Sequence, residues 1–141
     1  FETMPVVYGK AEMIHKGSEI ALVAVGSMVE TACEVRKILK EKGLDVTVVN
    51  ERFIKPIDAG MIHKLSFDHK LIVTMEENVG LGGFGDTVCQ YADDSQLDVK
   101  VLNIALPDDY VEHGNVSILK KEEGIDAAGV ADRVLSFYTN I

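Results

Sequence analysis

The sequence predicts an α/β fold: a three-layer α/β/α arrangement with a mostly parallel sheet of about five strands, and a short N-terminal strand antiparallel at its edge. Three observations carry this reading. Short continuous apolar runs, Ile20 to Val25 and Leu71 to Met75, suit strands covered on both faces. Amphipathic helical stretches alternate with them. The joins are short, as in a doubly wound sheet.

The first element, Ala11 to His15, alternates weakly and ends at Lys16-Gly17-Ser18, the pattern of a short edge strand and turn. Ile20 to Val25 is the first buried strand. Ser27 with Glu30 three residues on forms a capping box that opens a helix. Val29, Ala32, Cys33, Val35, Ile38 and Leu39 make its buried stripe, and Gly43 its stop. Val46 to Val49 is β-branched and strand-like. Pro56 breaks the chain, and Asp58 caps a short helix through about Leu65. Leu71 to Met75 is the third buried strand, followed by a glycine loop and a helix from about Gly83 to Tyr91. Val99 to Ile104 is the fourth. An irregular segment, Ala105 to Gly114, then precedes a helix near Val116 to Glu123. The last helix starts at Asp126 and uses Val130, Val134, Leu135 and Phe137.

At 141 residues the chain has the length of one domain with its own core. Residues 1–8, with no basic leader and no cleavage signal, read as a linker from a longer polypeptide, and residues 9–141 as the domain. The net charge of −9 is uneven: residues 1–70 hold ten Lys/Arg and ten Asp/Glu, residues 71–141 four and thirteen. Such a surface repels phosphate backbones and anionic lipid, so neither nucleic acid nor membrane is expected as a partner. No run approaches the roughly 20 apolar residues of a membrane span, which predicts a soluble, cytoplasmic protein. Cys33 and Cys89 lie in apolar helical patterns without metal spacing, as buried thiols do in a reducing compartment.

In open α/β sheets, ligands and partners meet the carboxyl ends of the strands, and every unusual stretch of this chain falls in a loop there. Gly80, Gly82 and Gly85 match the G-x-G-x-x-G spacing that cradles a dinucleotide diphosphate. However, the motif follows the third major strand rather than the first. The next strand ends at Asn103-Ile104-Ala105 with no acid for a ribose, and Glu76 and Glu77 immediately upstream oppose an anion. A close-packed turn, with Gly83 adding to the small residues, is favoured over a stand-alone nucleotide-binding or regulatory module.

In the loop Asn50 to Asp58, Arg52 is suited to clamp a carboxylate or to pair with Glu76 or Glu77, and the pairing is favoured because it needs no ligand. Leu106 to Gly114 gathers three acids with Tyr110 and His113. It lacks the ligand alternation of a calcium loop and a second His for zinc, and no nucleophile stands beside His113. A protein-facing loop fits it best. No nucleophile elbow, P-loop or zinc motif is present.

Taken together and in order, Val48 to Asp58, Val73 to Asn78 with Gly82-Gly83-Phe84-Gly85, Ala105 to Gly114, and Glu123 to Gly129 resemble the C-terminal domain of thiamine-diphosphate enzymes of the transketolase type. The last two stretches narrow the resemblance to the 1-deoxy-D-xylulose-5-phosphate synthases. Transketolases and pyruvate dehydrogenase E1β chains share the fold and the Pro-x-Asp turn. The resemblance implies a homodimeric parent that condenses pyruvate with glyceraldehyde 3-phosphate and releases carbon dioxide, feeding isoprenoid and thiamine biosynthesis. It also implies that thiamine diphosphate and Mg²⁺ are held by upstream domains, whose motifs are missing here. This domain would then carry no catalytic, cofactor or metal residue. Arg52, Glu76, Glu77, Gly80, Gly82, Gly83, Gly85, Tyr110 and His113 would serve docking to those domains and dimer assembly.

Overall fold

Residues 11–26, 28–51, 58–76, 83–105 and 126–141 are described by a computed structural model. Their order is β1 (Glu12–His15), β2 (Glu19–Ala24), α1 (Met28–Glu41), β3 (Thr47–Asn50), α2 (Ala59–Asp68), β4 (His69–Glu76), α3 (Phe84–Asp94), β5 (Lys100–Ala105) and α4 (Ala127–Thr139). The sheet runs β1-β3-β2-β4-β5. Only β1 is antiparallel; β3, β2, β4 and β5 are mutually parallel. The mostly parallel five-stranded sheet with an antiparallel edge agrees with the expectation from sequence.

Strand alternation sorts the apolar side chains into two cores, and this makes the third layer. Ile20, Leu22 and Ala24 of β2, with Leu71, Val73 and Met75 of β4, face α1 and α4. Ala21, Val23 and Ile72 point the other way, toward Ile62 and Leu65 of α2 and Phe84 and Val88 of α3. All of these strand residues are fully buried, which is why the strands read as unbroken apolar runs rather than as alternation.

The helix ends follow from local chemistry. After α1, Gly43 takes φ +92°, Leu44 N–H donates to Leu39 O at 2.9 Å and Gly43 N–H to Lys40 O at 3.0 Å. This is a Schellman cap, and Leu44 packs onto the core that holds Leu39. Asp58 caps α2 by accepting from Met61 N–H at 3.0 Å, and Asp126 caps α4 by accepting from Gly129 N–H at 3.0 Å. Helix α2 runs past Leu65 to Asp68, and α3 past Tyr91 to Asp94.

Two expectations need correction. Cys33 and Cys89 are free thiols, but both are half-buried rather than buried. Each lies at the flank of its helix's apolar stripe; on α1 the fully covered positions are Met28, Ala32, Val35 and Leu39. Ala105 closes β5 instead of opening an irregular segment. Ser27, residues 106–114 and the expected helix near Val116 to Glu123 lie outside the described residues. Among the described residues, no helix is long and apolar enough to cross a membrane.

Candidate functional site: the carboxyl edge of the sheet

Strand β2 is central, the chain steps to β3 on one side and then to β4 on the other, so the order reverses between β2 and β4. Such a switch point leaves a crevice outside the carboxyl ends of the two strands. Two backbone bonds carry the ladders to its rim: Val25 N–H to Met75 O and Glu51 N–H to Ala24 O, both 2.9 Å. Three buried carboxylates stand along this edge, Glu51, Asp58 and Glu76.

Glu76 ends β4 on the α2/α3 side. Its Oε1 accepts from Phe84 N–H at 3.0 Å and its Oε2 from Gly85 N–H at 2.6 Å. These are the first two amides of α3, unsatisfied within the helix and carrying the positive end of its dipole. A dinucleotide diphosphate in a G-x-G-x-x-G fold would sit at this position. Here the protein supplies the anion itself, so the slot is occupied by its own carboxylate. The expected opposition of Glu76 to a phosphate has a concrete form: it takes the phosphate's hydrogen bonds.

Gly85 has a separate duty. A Cβ there would lie 2.6 Å from Asn103 Cγ and 2.9 Å from Thr74 Oγ1, closer than side chains approach. The missing side chain lets α3 press against β4 and β5, the packing role of the third glycine in such motifs. Beneath it, Thr74 Oγ1 donates to Asn103 Oδ1 at 2.6 Å, and Asn103 Nδ2 donates to Cys89 Sγ at 3.4 Å. Gly83 precedes α3 in extended conformation with no side chain to cap it, and Glu76 does that work from the neighbouring strand.

Asp58 gathers three segments. Besides capping α2 through Oδ1, it accepts from Ala11 N–H through Oδ2 at 2.8 Å, and its own N–H faces Glu51 Oε2 at 3.4 Å. The cap was legible in the sequence; the tie to Ala11, 47 residues away, was not. Arg52, Glu77, Gly80, Gly82, Tyr110 and His113 lie outside the described residues. The structure thus places Glu76, Gly83 and Gly85 together at the mouth of α3.

The opposite edge holds what sequence reasoning missed. His69 is buried at the start of β4; its Nδ1 donates to Leu65 O at 3.0 Å, and its Nε2 lies 2.7 Å from Thr47 Oγ1. Thr47 Oγ1 in turn accepts from Gly17 N–H at 2.8 Å, and His69 Nδ1 also lies 2.7 Å from Asp68 Oδ1, so the buried ring ties four segments together. Tyr138 O–H donates to Glu19 at 2.7 Å and pins the end of α4 to the start of β2. That bond holds the Glu19 carboxyl below its usual range and pushes the Tyr138 phenol up. Asp45 and Asp68 are lowered chiefly by their bonds to His15 and Lys16.

The family profile described as transketolase, C-terminal domain, matches residues 9–130. The 1-deoxy-D-xylulose-5-phosphate synthase of Lachnoclostridium phytofermentans is 48% identical over 130 residues, covering 92% of this chain and 21% of that protein. The synthase of Dehalococcoides mccartyi strain 195 is 43% identical over 134 residues, covering 94% and 21%. The chain therefore spans about a fifth of the length of these curated relatives. Among solved structures, an inactive beta4 tetramer of a split-gene transketolase superposes with a TM-score of 0.85 at 25% identity, covering 96% of this chain and 44% of that one.

Proposed function

Because the chain belongs to the transketolase C-terminal domain family, we propose that it is the non-catalytic C-terminal domain of a thiamine-diphosphate-dependent synthase. That parent condenses pyruvate with glyceraldehyde 3-phosphate to 1-deoxy-D-xylulose 5-phosphate and carbon dioxide, in the cytoplasm and as a homodimer. The observation that carries the reading is the 48% identity to one such synthase over nearly the whole of this chain. On this reading residues 9–141 are the domain, residues 1–8 belong to the linker, and the carboxyl-edge loops dock onto the upstream domains and support the dimer. Arg52, Glu76, Glu77, Gly80, Gly82, Gly83, Gly85, Tyr110 and His113 are the residues assigned to that docking.

The family implies thiamine diphosphate and Mg²⁺, and the described residues do not fit them. The α3 amides that suit a diphosphate are taken by Glu76. Among the described residues, no group of three or more His, Cys, Asp or Glu side chains is arranged to hold a metal. On this reading the described residues contribute shape and packing, and no chemical step is assigned to them.

Carbon dioxide release from pyruvate and glyceraldehyde 3-phosphate, with thiamine diphosphate and Mg²⁺ present, tests the proposal. The 141-residue chain alone should give none. Adding a separately produced upstream portion of a synthase, itself inactive or weak, should raise the rate. Turnover by this chain alone would place chemistry in the domain and overturn the proposal.

A further inference from the structure

The docking role leaves open how the domain is aimed at what precedes it. We infer that Asp58 is the joint that fixes where the polypeptide before Ala11 leaves this domain, an inference that rests on the docking reading above. Strand β1 runs antiparallel to β3 with Glu12 opposite Asn50. The chain therefore comes into the sheet at the carboxyl edge, on the outer strand beyond β3, and the residue at that threshold is Ala11. Its N–H is held by Asp58 Oδ2 at 2.8 Å.

Asp58 is itself immobilised. It is only 5% exposed, its other oxygen caps α2, and its own amide faces buried Glu51. An ordinary N-cap needs one oxygen; here the second is spent on a distant strand. A carboxylate offers two separate acceptor atoms, one for each direction, whereas an amide presents one acceptor atom and one donor. The occupant on the far side of this joint is the preceding part of the same polypeptide. In the curated relatives about four-fifths of the length lies outside the matched region, and the family description puts this domain at the C-terminal end. Fixing the chain at Ala11 sets the point from which the preceding polypeptide starts, on the same edge as the docking loops, and so raises the effective concentration of that edge at its docking surface.

Asp58→Asn separates the joint from the cap. Asn caps helices about as well as Asp, so Met61 keeps its acceptor. The amide nitrogen that replaces Oδ2 then faces the Ala11 N–H, donor against donor. In this 141-residue chain, amide exchange read by NMR should speed at Ala11 by about tenfold, the loss expected for one charge-assisted hydrogen bond, and stay within about twofold at Met61. Tryptic cleavage after Lys10 should quicken in parallel. Asp58→Ala should release both amides. Unchanged Ala11 exchange in Asp58→Asn, or Ala11 and Met61 loosening together, would overturn the joint. Failure of the chain to bind a separately produced upstream portion would sink the docking reading instead, while the Ala11 result still decides the joint.

Discussion

A methyl group on Gly85 would meet Asn103 and Thr74 at 2.6–2.9 Å, and the consequence depends on which neighbour yields. Thr74 is fully buried on β4 and has nowhere to go. Asn103 is exposed and its side chain can swing outward, but doing so abandons the 2.6 Å bond from Thr74 Oγ1. That leaves a buried hydroxyl without its acceptor, at a cost of about 1–3 kcal/mol. Gly85→Ala should therefore lower stability by about that amount in urea denaturation. In an Asn103→Ala background the same substitution should cost less, because the Asn103 clash and the bond are already gone and only the 2.9 Å approach to Thr74 Oγ1 remains. Equal costs in the two backgrounds would show that the strain lies in the backbone of α3 and not in this contact.

At the scale of elements, α3 is begun by a residue from another strand. Its N-cap position is Gly83, which offers no side chain, and Glu76 fills the gap with both oxygens. Phe84, the first helical residue, is fully buried and contributes about 1.5–3 kcal/mol by burial. The α3 mouth is thus held by packing and by charge together. Glu76→Gln should weaken it by about 1.5–3 kcal/mol, since one amide would face an NH₂ donor in place of a carboxylate oxygen. The loss should appear as faster amide exchange at Phe84 and Gly85 while α4 keeps its protection. Uniform loosening of both helices would mean that Glu76 acts on the whole fold and not on this cap.

The same elements show what could be read in the sequence. Each strand, the cap at Asp58 and the start of the last helix at Asp126 were legible because they rest on local patterns: apolar runs, Asp before a helix, Gly43 after one. The obstacle to phosphate at the start of α3 was legible because Glu76 precedes the glycines; Gly80 and Gly82 themselves lie outside the described residues. What escaped was long-range pairing by ordinary residues. Nothing in Ala11, Thr47 or Glu19 announces that each binds a side chain from a distant segment. Buried His69 likewise looks like any histidine at a strand start until the fold brings Thr47 beside it.

Across the whole molecule, one bond spans the chain from near its start to near its end: Tyr138 O–H to Glu19, 119 residues apart. It fastens α4, which covers one face of the sheet, to the central strand β2. Glu19 also carries a strained backbone, φ +68° for a side chain other than glycine, so it holds this position against its own preference. The bond titrates at both ends of the pH scale. Glu19 is lowered, first by Tyr138 and then by Lys70. Its stabilising part is therefore present above about pH 4.3 and is lost as pH falls through the depressed folded value. Tyr138 is raised by Glu19, so its part is present below about pH 10 and is lost as pH rises through the elevated folded value. These are two limbs of one interaction and do not add. Tyr138→Phe should lower the urea midpoint modestly at pH 7 and narrow its gap from wild type at both extremes. Toward acid, Asp45 and Asp68, lowered by His15 and Lys16, leave a residual decline in both proteins, so the alkaline limb is the cleaner reading. A wild-type-minus-mutant difference that stays flat from about pH 7 to about pH 11 would show that α4 is held by its apolar face, through Val130, Ala131 and Val134, without help from this bond.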